Sequence, residues 1–483
     1  MYLDNMNAII ALLLLVLPQP TPFNTRDSTT ITGTISAFQP GATDGMITFY
    51  MYDIQGNRIH LSFPISANGH YKATLLQAYE GDLSVYYREH FANLYTRPGG
   101  HLVLDMDGDG KYHAGGELGA INNEVMDFFN QFYQQHFPTE VNLGSKMPDS
   151  AFAAARRQRL HEELDFLEAF AKQSGSLSPP VKAWLQRYLT YEAANDLITY
   201  PFFGKRNTEI DAESLLSYLG GIPVVDEAAL SNASYYRFLN WLTTGMNIIT
   251  NLNPANGALL KEDSSRRVSL PLDWVDEAAS VGITRDLMYY DEYNLIRNLR
   301  QKESTSTWNR CYDRVGSAYI KNCFMVDKSI ADKGGFTPFE LQKRLQAFAA
   351  PDNVKQRLDS LFGSMRGQTT FVDFWGTWCG ACMAELPDYP DMIAHFKGAP
   401  VHFLFLSDET TDSAMHAVQK KFGIDATFFN ITADENTVLG SILGFSGYPH
   451  HYLLDAKGLV VAECWGPGSG TETRIRQQLK VTN

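Results

Sequence analysis

FVDFWGTWCGACMAELP, residues 371–387, decides how this chain is read. Phe371, Val372, Phe374 and Trp375 form the apolar, aromatic run of a buried strand, and a short turn leads into a helix that opens at Cys379. Unpaired amide groups and the positive end of the helix dipole favour a thiolate at such a position. Cys379 is therefore the candidate nucleophile. Cys382, one turn further on, is placed to attack a mixed disulfide held on Cys379 and is the candidate resolving thiol. Two carboxylates accompany them. Asp373 falls on the strand beneath the turn, where burial raises its pKa towards a proton-transfer role for Cys382. Glu385 lies one helical turn past Cys382 and can serve the same end. A strand-end cap for Asp373 and a solvated helix face for Glu385 are the structural alternatives.

The segment FVDFWGTWCGAC resembles the active-site stretch of the thioredoxin fold, and the following Met383 to Pro387 is similar to the extracytoplasmic TlpA/ResA branch. The resemblance implies that Cys379 attacks and Cys382 resolves. It also places Asp373 and Glu385 at carboxylate positions of thioredoxins and of that branch, respectively. Both are present here, so which one handles the proton stays open. The order of the remaining C-terminal elements fits: a strand at Val401 to Ser407, a helix at Ser413 to Phe422 stopped by Gly423, strands at His451 to Leu454 and Leu459 to Cys464, and a helix from about Thr471 to Leu479. By resemblance, Pro449 in Gly447-Tyr448-Pro449 is the cis proline that faces the thiols. Tyr448 then offers its backbone to a bound polypeptide, and Trp378 in the turn is the second substrate-contact residue.

Upstream, 483 residues with 44% hydrophobic content suffice for about three domains. The net charge of −14 argues against nucleic-acid or anionic-membrane binding, leaving proteins or small thiols as partners. Ala8 to Leu17 has the length of an export-signal core and is too short to span a bilayer, which places the protein in the periplasm or cell envelope. Short alternating runs between Thr30 and Leu104, punctuated by Gly45, Gly56-Asn57, Asn68-Gly69 and Pro98-Gly99, predict a small β-sandwich. It resembles the β-domain that precedes many Bacteroidetes TlpA-like proteins. Asp105 to Gly110 has alternating carboxylates, but Gly116 occupies the last ligand position of a calcium loop, so an acidic turn is expected.

From Glu117 to Leu361 the apolar spacing is helical, with Ser178-Pro179 as a helix start and Pro351 as a break. His161-Glu162-Glu163 lacks the second histidine of a zinc helix and reads as a solvated face. Cys311 and Cys323 fall in one irregular segment where a structural disulfide is expected, with two free core thiols or a second redox pair as the alternatives, and Cys464 reads as a buried inert thiol. No cofactor or metal is expected. The fold class is multi-domain: a signal peptide at 1–24, an N-terminal β-sandwich at 25–116, a central α-helical domain at 117–344 and a C-terminal α/β thioredoxin fold at 345–483. Such a protein is expected to be an exported thiol-disulfide oxidoreductase that reduces disulfides of envelope proteins. By family resemblance, a membrane thiol protein restores its electrons. A disulfide oxidase or isomerase, or a binding module with a redox-regulated CxxC, are the competing readings.

Overall fold

The computed structural model describes residues 23, 27–36, 38, 45–136, 147–174, 177–202, 211–252, 256, 266–279, 281–298, 305–332, 338–347, 352–407, 410–443, 445, 448–464 and 466–482. Residues 1–22 and 24 of the expected signal segment, Pro351 and Gly447 lie outside the described residues, whereas Phe23 is described and buried in the helical core. Among the described residues, no helix is long and apolar enough to cross a membrane.

Among the described residues, eight strands come first: β1 (Ser28–Thr34), β2 (Met46–Tyr52), β3 (Arg58–Pro64), β4 (His70–Leu76), β5 (Gly81–Tyr87), β6 (His90–Thr96), β7 (His101–Met106) and β8 (Tyr112–Gly115). They form two four-stranded sheets, ordered β4-β1-β7-β8 and β3-β2-β5-β6. Side chains that alternate inward along both sheets, among them Ile31, Phe49, Val85, Leu94 and Leu104, share one apolar core. The acidic run is the β7–β8 hairpin turn: the Asp107 carboxylate accepts the Asp109 and Lys111 amides at 2.9 and 3.0 Å and lies 2.8 Å from His113 Nε2. Those bonds are the Asx-turn chemistry expected of Asp before glycine. β6 and β8 escaped the sequence reading.

Among the described residues, nine α-helices follow: α1 (Gly119–His136), α2 (Asp149–Ser174), α3 (Pro179–Thr199), α4 (Ala212–Tyr218), α5 (Ala233–Leu252), α6 (Arg266–Ala278), α7 (Ile283–Asn298), α8 (Thr305–Arg314) and α9 (Ala318–Asp332). Two expectations need correction here. Cys311 and Cys323 sit on α8 and α9 rather than in an irregular segment, and they are not joined by a disulfide. Cys311 is buried in the aromatic-rich helical core and Cys323 packs against it, so helical packing uses both as small apolar side chains. The face at His161-Glu162-Glu163 is not uniformly solvated. His161 and Glu162 are exposed, but Glu163 is buried between Arg156 and Arg159, at 3.3 and 3.2 Å. A carboxylate is tolerated there because two guanidinium groups replace its water.

The last part contains β9 (Phe339–Glu340), α10 (Leu341–Ala347), α11 (Asp352–Ser364), β10 (Thr369–Trp375), α12 (Gly380–Glu385), α13 (Tyr389–Ala394), β11 (Val401–Ser407), α14 (Asp412–Phe422), β12 (Thr427–Asn430), α15 (Ala433–Leu443), β13 (His450–Leu454), β14 (Leu459–Cys464) and α16 (Ser469–Thr482). One six-stranded sheet has the order β12-β11-β10-β13-β14-β9. β11 runs parallel to β10 and β13 antiparallel to it. All seven residues of β10 are buried, because helices cover both faces of this central strand. β9 pairs with β14, and Leu341 and Leu345 enter the sheet's core, so this unit reaches back beyond the expected boundary at residue 345. The two-residue strand was too short to read from periodicity.

Candidate active site

Period-two alternation assigns the side chains of β10 to two cores. Val372 and Phe374 enter one of them, and Phe371 and Trp375 the other, together with Cys379, Cys382 and Cys464. Asp373 shares the parity of Phe371 and Trp375 and therefore points to the thiol side. On β13 the same rule sends Tyr452 and Leu454 one way and Leu453 the other, and His451 has the parity of Leu453. Strand register then sets Asp373 directly opposite His451.

Cys379 is the N-cap of α12 and is joined to Cys382 in a disulfide. Its Sγ accepts the Cys382 amide at 3.1 Å, the bond an N-cap side chain makes to the first turn. Both cysteines are nearly buried, at 6% and 2% exposure, whereas Trp378 immediately before them is 53% exposed. The Tyr448–Pro449 bond is cis. The Trp378 and Tyr448 rings meet edge to face with centroids 5.2 Å apart, which brings the proline turn against the cysteine turn. The Tyr448 hydroxyl donates to Asn436 Oδ1 at 2.8 Å.

Beneath the thiols, His451 Nε2 lies 3.4 Å from Asp373 Oδ1 and 3.1 Å from Glu385 Oε2. Asp373 and His451 are buried, whereas the Glu385 side chain is 30% exposed. Burial drives the Asp373 pKa up to about 6, against the pull of the His451 charge and of the Tyr389 hydroxyl, while Glu385 pushes it further up. Burial by itself lowers the His451 pKa, but the contacts with Glu385 and Asp373 outweigh it and leave it raised. Cys464 faces His451 across the β13–β14 ladder, and burial pushes its thiol up to about 11. That thiol stays protonated and unreactive near neutrality.

The structure thus brings together Cys379, Cys382, Asp373, Glu385, Trp378, Tyr448 and Pro449. Cys311 and Cys323 belong to the helical core instead. Sequence reasoning missed His451 and Tyr389. The available signal for His451 was a histidine at a core-facing position of a strand following Tyr448-Pro449; a partner was not visible, because the register between β10 and β13 is not written locally.

Residues 341–463 match the model of the AhpC/TSA family. The chain is similar to the thiol-disulfide oxidoreductase ResA of Bacillus subtilis (strain 168), 25% identical over 134 residues, which is 28% of this chain and 71% of the relative. ResA of Bacillus thuringiensis subsp. konkukian (strain 97-27) is 25% identical over 141 residues, covering 29% of this chain and 78% of the relative. Among solved structures, a thioredoxin-family thiol:disulfide interchange protein from Chlorobium tepidum TLS aligns at 22% identity and a TM-score of 0.23, over 24% of this chain and 83% of its own.

Proposed function

Since this chain is a TlpA/ResA-like thioredoxin-family protein and an oxidoreductase acting on thiols and disulfides, we propose that it is exported and reduces disulfides of proteins in the cell envelope. The observation that carries this reading is the Cys379–Cys382 pair at the strand–helix junction, set against the cis Tyr448–Pro449 turn with the exposed Trp378 at its rim. The Cys379 thiolate attacks a substrate disulfide and forms a mixed disulfide. Cys382 gives up its proton, attacks Cys379 Sγ and releases the substrate as a dithiol, leaving the disulfide seen here. Two electrons pass from the enzyme pair to the substrate. A membrane thiol protein returns them, and Asp373 or Glu385 takes the proton. Trp378 and the backbone of Tyr448 hold an extended substrate segment by strand addition.

The Ala8 to Leu17 segment supplies export to the periplasm or envelope. We divide the chain into a β-sandwich at residues 25–116, a helical domain at 117–344, and the thioredoxin-like unit, whose start moves back to Phe339 because β9 belongs to its sheet. The test is turnover together with potential. Reduction of a protein disulfide by the dithiol form should be abolished in Cys379→Ser, and the reduction potential of the pair should lie near about −270 mV. A value near about −120 mV makes the protein an oxidant and refutes the reductase reading.

A further inference from the structure

The two carboxylates that compete in the sequence for one role are not separate in the structure. A single nitrogen, His451 Nε2, is within 3.4 Å of one and 3.1 Å of the other. Asp373 Oδ1 and Glu385 Oε2 both turn to this one nitrogen, and beyond these ion pairs the three buried atoms have no hydrogen-bond partner among the described residues. One buried imidazole nitrogen shared by two carboxylates, on the side of the sheet that carries the cysteines, is a group able to exchange a proton. Exposure is graded across it: Asp373 and His451 are 3% and 4% exposed at the side chain, and Glu385 is 30%. Gly466 makes room for the Glu385 end. A Cβ there would come within 2.9 Å of the Glu385 carboxylate, and the backbone at Gly466 has φ +81°.

We propose that His451 is a positioning and relay residue that couples Asp373 to Glu385: its protonated Nε2 gives its proton to Glu385 at the solvent edge and is then reprotonated by Asp373, which has taken the proton leaving Cys382. This rests on the assignment of Cys379 as attacking and Cys382 as resolving thiol. In the step concerned, the Cys382 S–H bond breaks and its proton enters the Asp373–His451–Glu385 unit. The thiolate forms a bond to Cys379 Sγ, and the substrate sulfur departs with the electron pair of the broken mixed disulfide. Water at Glu385 then removes the proton.

The ionisable groups facing His451 are Asp373 from β10, Glu385 from α12 and Cys464 from β14. Tyr389 of α13 acts on Asp373, and Arg474 of α16 acts on Cys464. The imidazole is in contact with both carboxylates. An opposite charge at this range lowers a carboxyl pKa by about 1–3 units, so loss of the imidazole moves the ionisation of the unit up by about one unit or more.

The experiment uses the full-length dithiol protein with Cys311, Cys323 and Cys464 replaced by alanine and an aromatic disulfide that liberates a coloured thiol. Attack by Cys379 gives a first release, and attack by Cys382 on the mixed disulfide gives a second. In His451→Gln the first release should be unchanged. The pH–rate profile of the second should move up by about one unit, which at pH 6 is about a fivefold slower release for a base whose pKa starts near 6. Superimposable second-release profiles overturn the proposal. Absence of the first release from the parent protein refutes the nucleophile assignment, and this proposal with it. If His451→Gln does not fold, the unaltered protein decides with ring-labelled histidine. One imidazole must titrate above the ordinary histidine pKa of about 6.5 and change its midpoint when the disulfide is reduced; if none does, the proposal is wrong.

Discussion

Asp373→Asn should stabilise the C-terminal unit while impairing its chemistry, and the gain should depend on pH. The folded-state pKa of Asp373 is raised from 3.8 to about 6, chiefly by burial. Ionisation is thus harder in the fold than in the unfolded chain, the reverse of a carboxylate held by a salt bridge. The cost is absent below the unfolded value, grows as pH rises through the interval, and is complete above the folded value. At 1.36 kcal/mol per unit, the full penalty is about 3 kcal/mol. Between pH 4.5 and pH 8, linkage gives a change of about 2 kcal/mol, or roughly 30-fold in the opening equilibrium. Asparagine has no such ionisation, so any constant packing cost of the substitution cancels when two pH values are compared. Because the chain has several cores, a single unfolding free energy is not a suitable readout. Hydrogen exchange followed by mass spectrometry on peptides from β10, the buried central strand, reports the opening of this unit alone. Protection in Asp373→Asn relative to the parent should rise by roughly 30-fold from pH 4.5 to pH 8. A ratio that stays constant with pH would refute the claim that Asp373 is a strained, buried acid.

Further outcomes follow from the same geometry. Cys464, with its thiol pushed up to about 11, should resist an alkylating reagent at pH 8 in the folded protein and react once denatured, as mapped by peptide mass spectrometry. Trp378→Ala should slow reduction of a protein disulfide by up to about tenfold through loss of an aromatic contact, while leaving reduction of a small disulfide within about twofold. Equal losses on both substrates would remove Trp378 from substrate binding. Gly466→Ala should lower the thermal midpoint of the unit, since a left-handed backbone costs a non-glycine residue about 1–2 kcal/mol and the new methyl meets the Glu385 carboxylate. Its second-release pH profile should change as well.

Local pattern determined much of this protein. The strand–turn–helix at Phe371 to Pro387 set the two thiols at a helix start, and the alternating runs before Leu104 marked strands that the structure pairs in two sheets. Such features are legible because side-chain period and turn chemistry involve residues close in sequence. Tertiary structure decided the rest. The fate of Cys311 and Cys323 depended on which helical faces meet in the core, not on the length of the segment between them. Glu163 read as solvated until Arg156 and Arg159 closed over it. β9 became an edge strand only because β14 offered it a partner. The deepest case is His451: its parity along β13 was set by sequence, but its place opposite Asp373 and beside Glu385 came from register between strands distant in the chain. Two carboxylates that look like alternatives in one dimension become neighbours of one imidazole when the sheet closes.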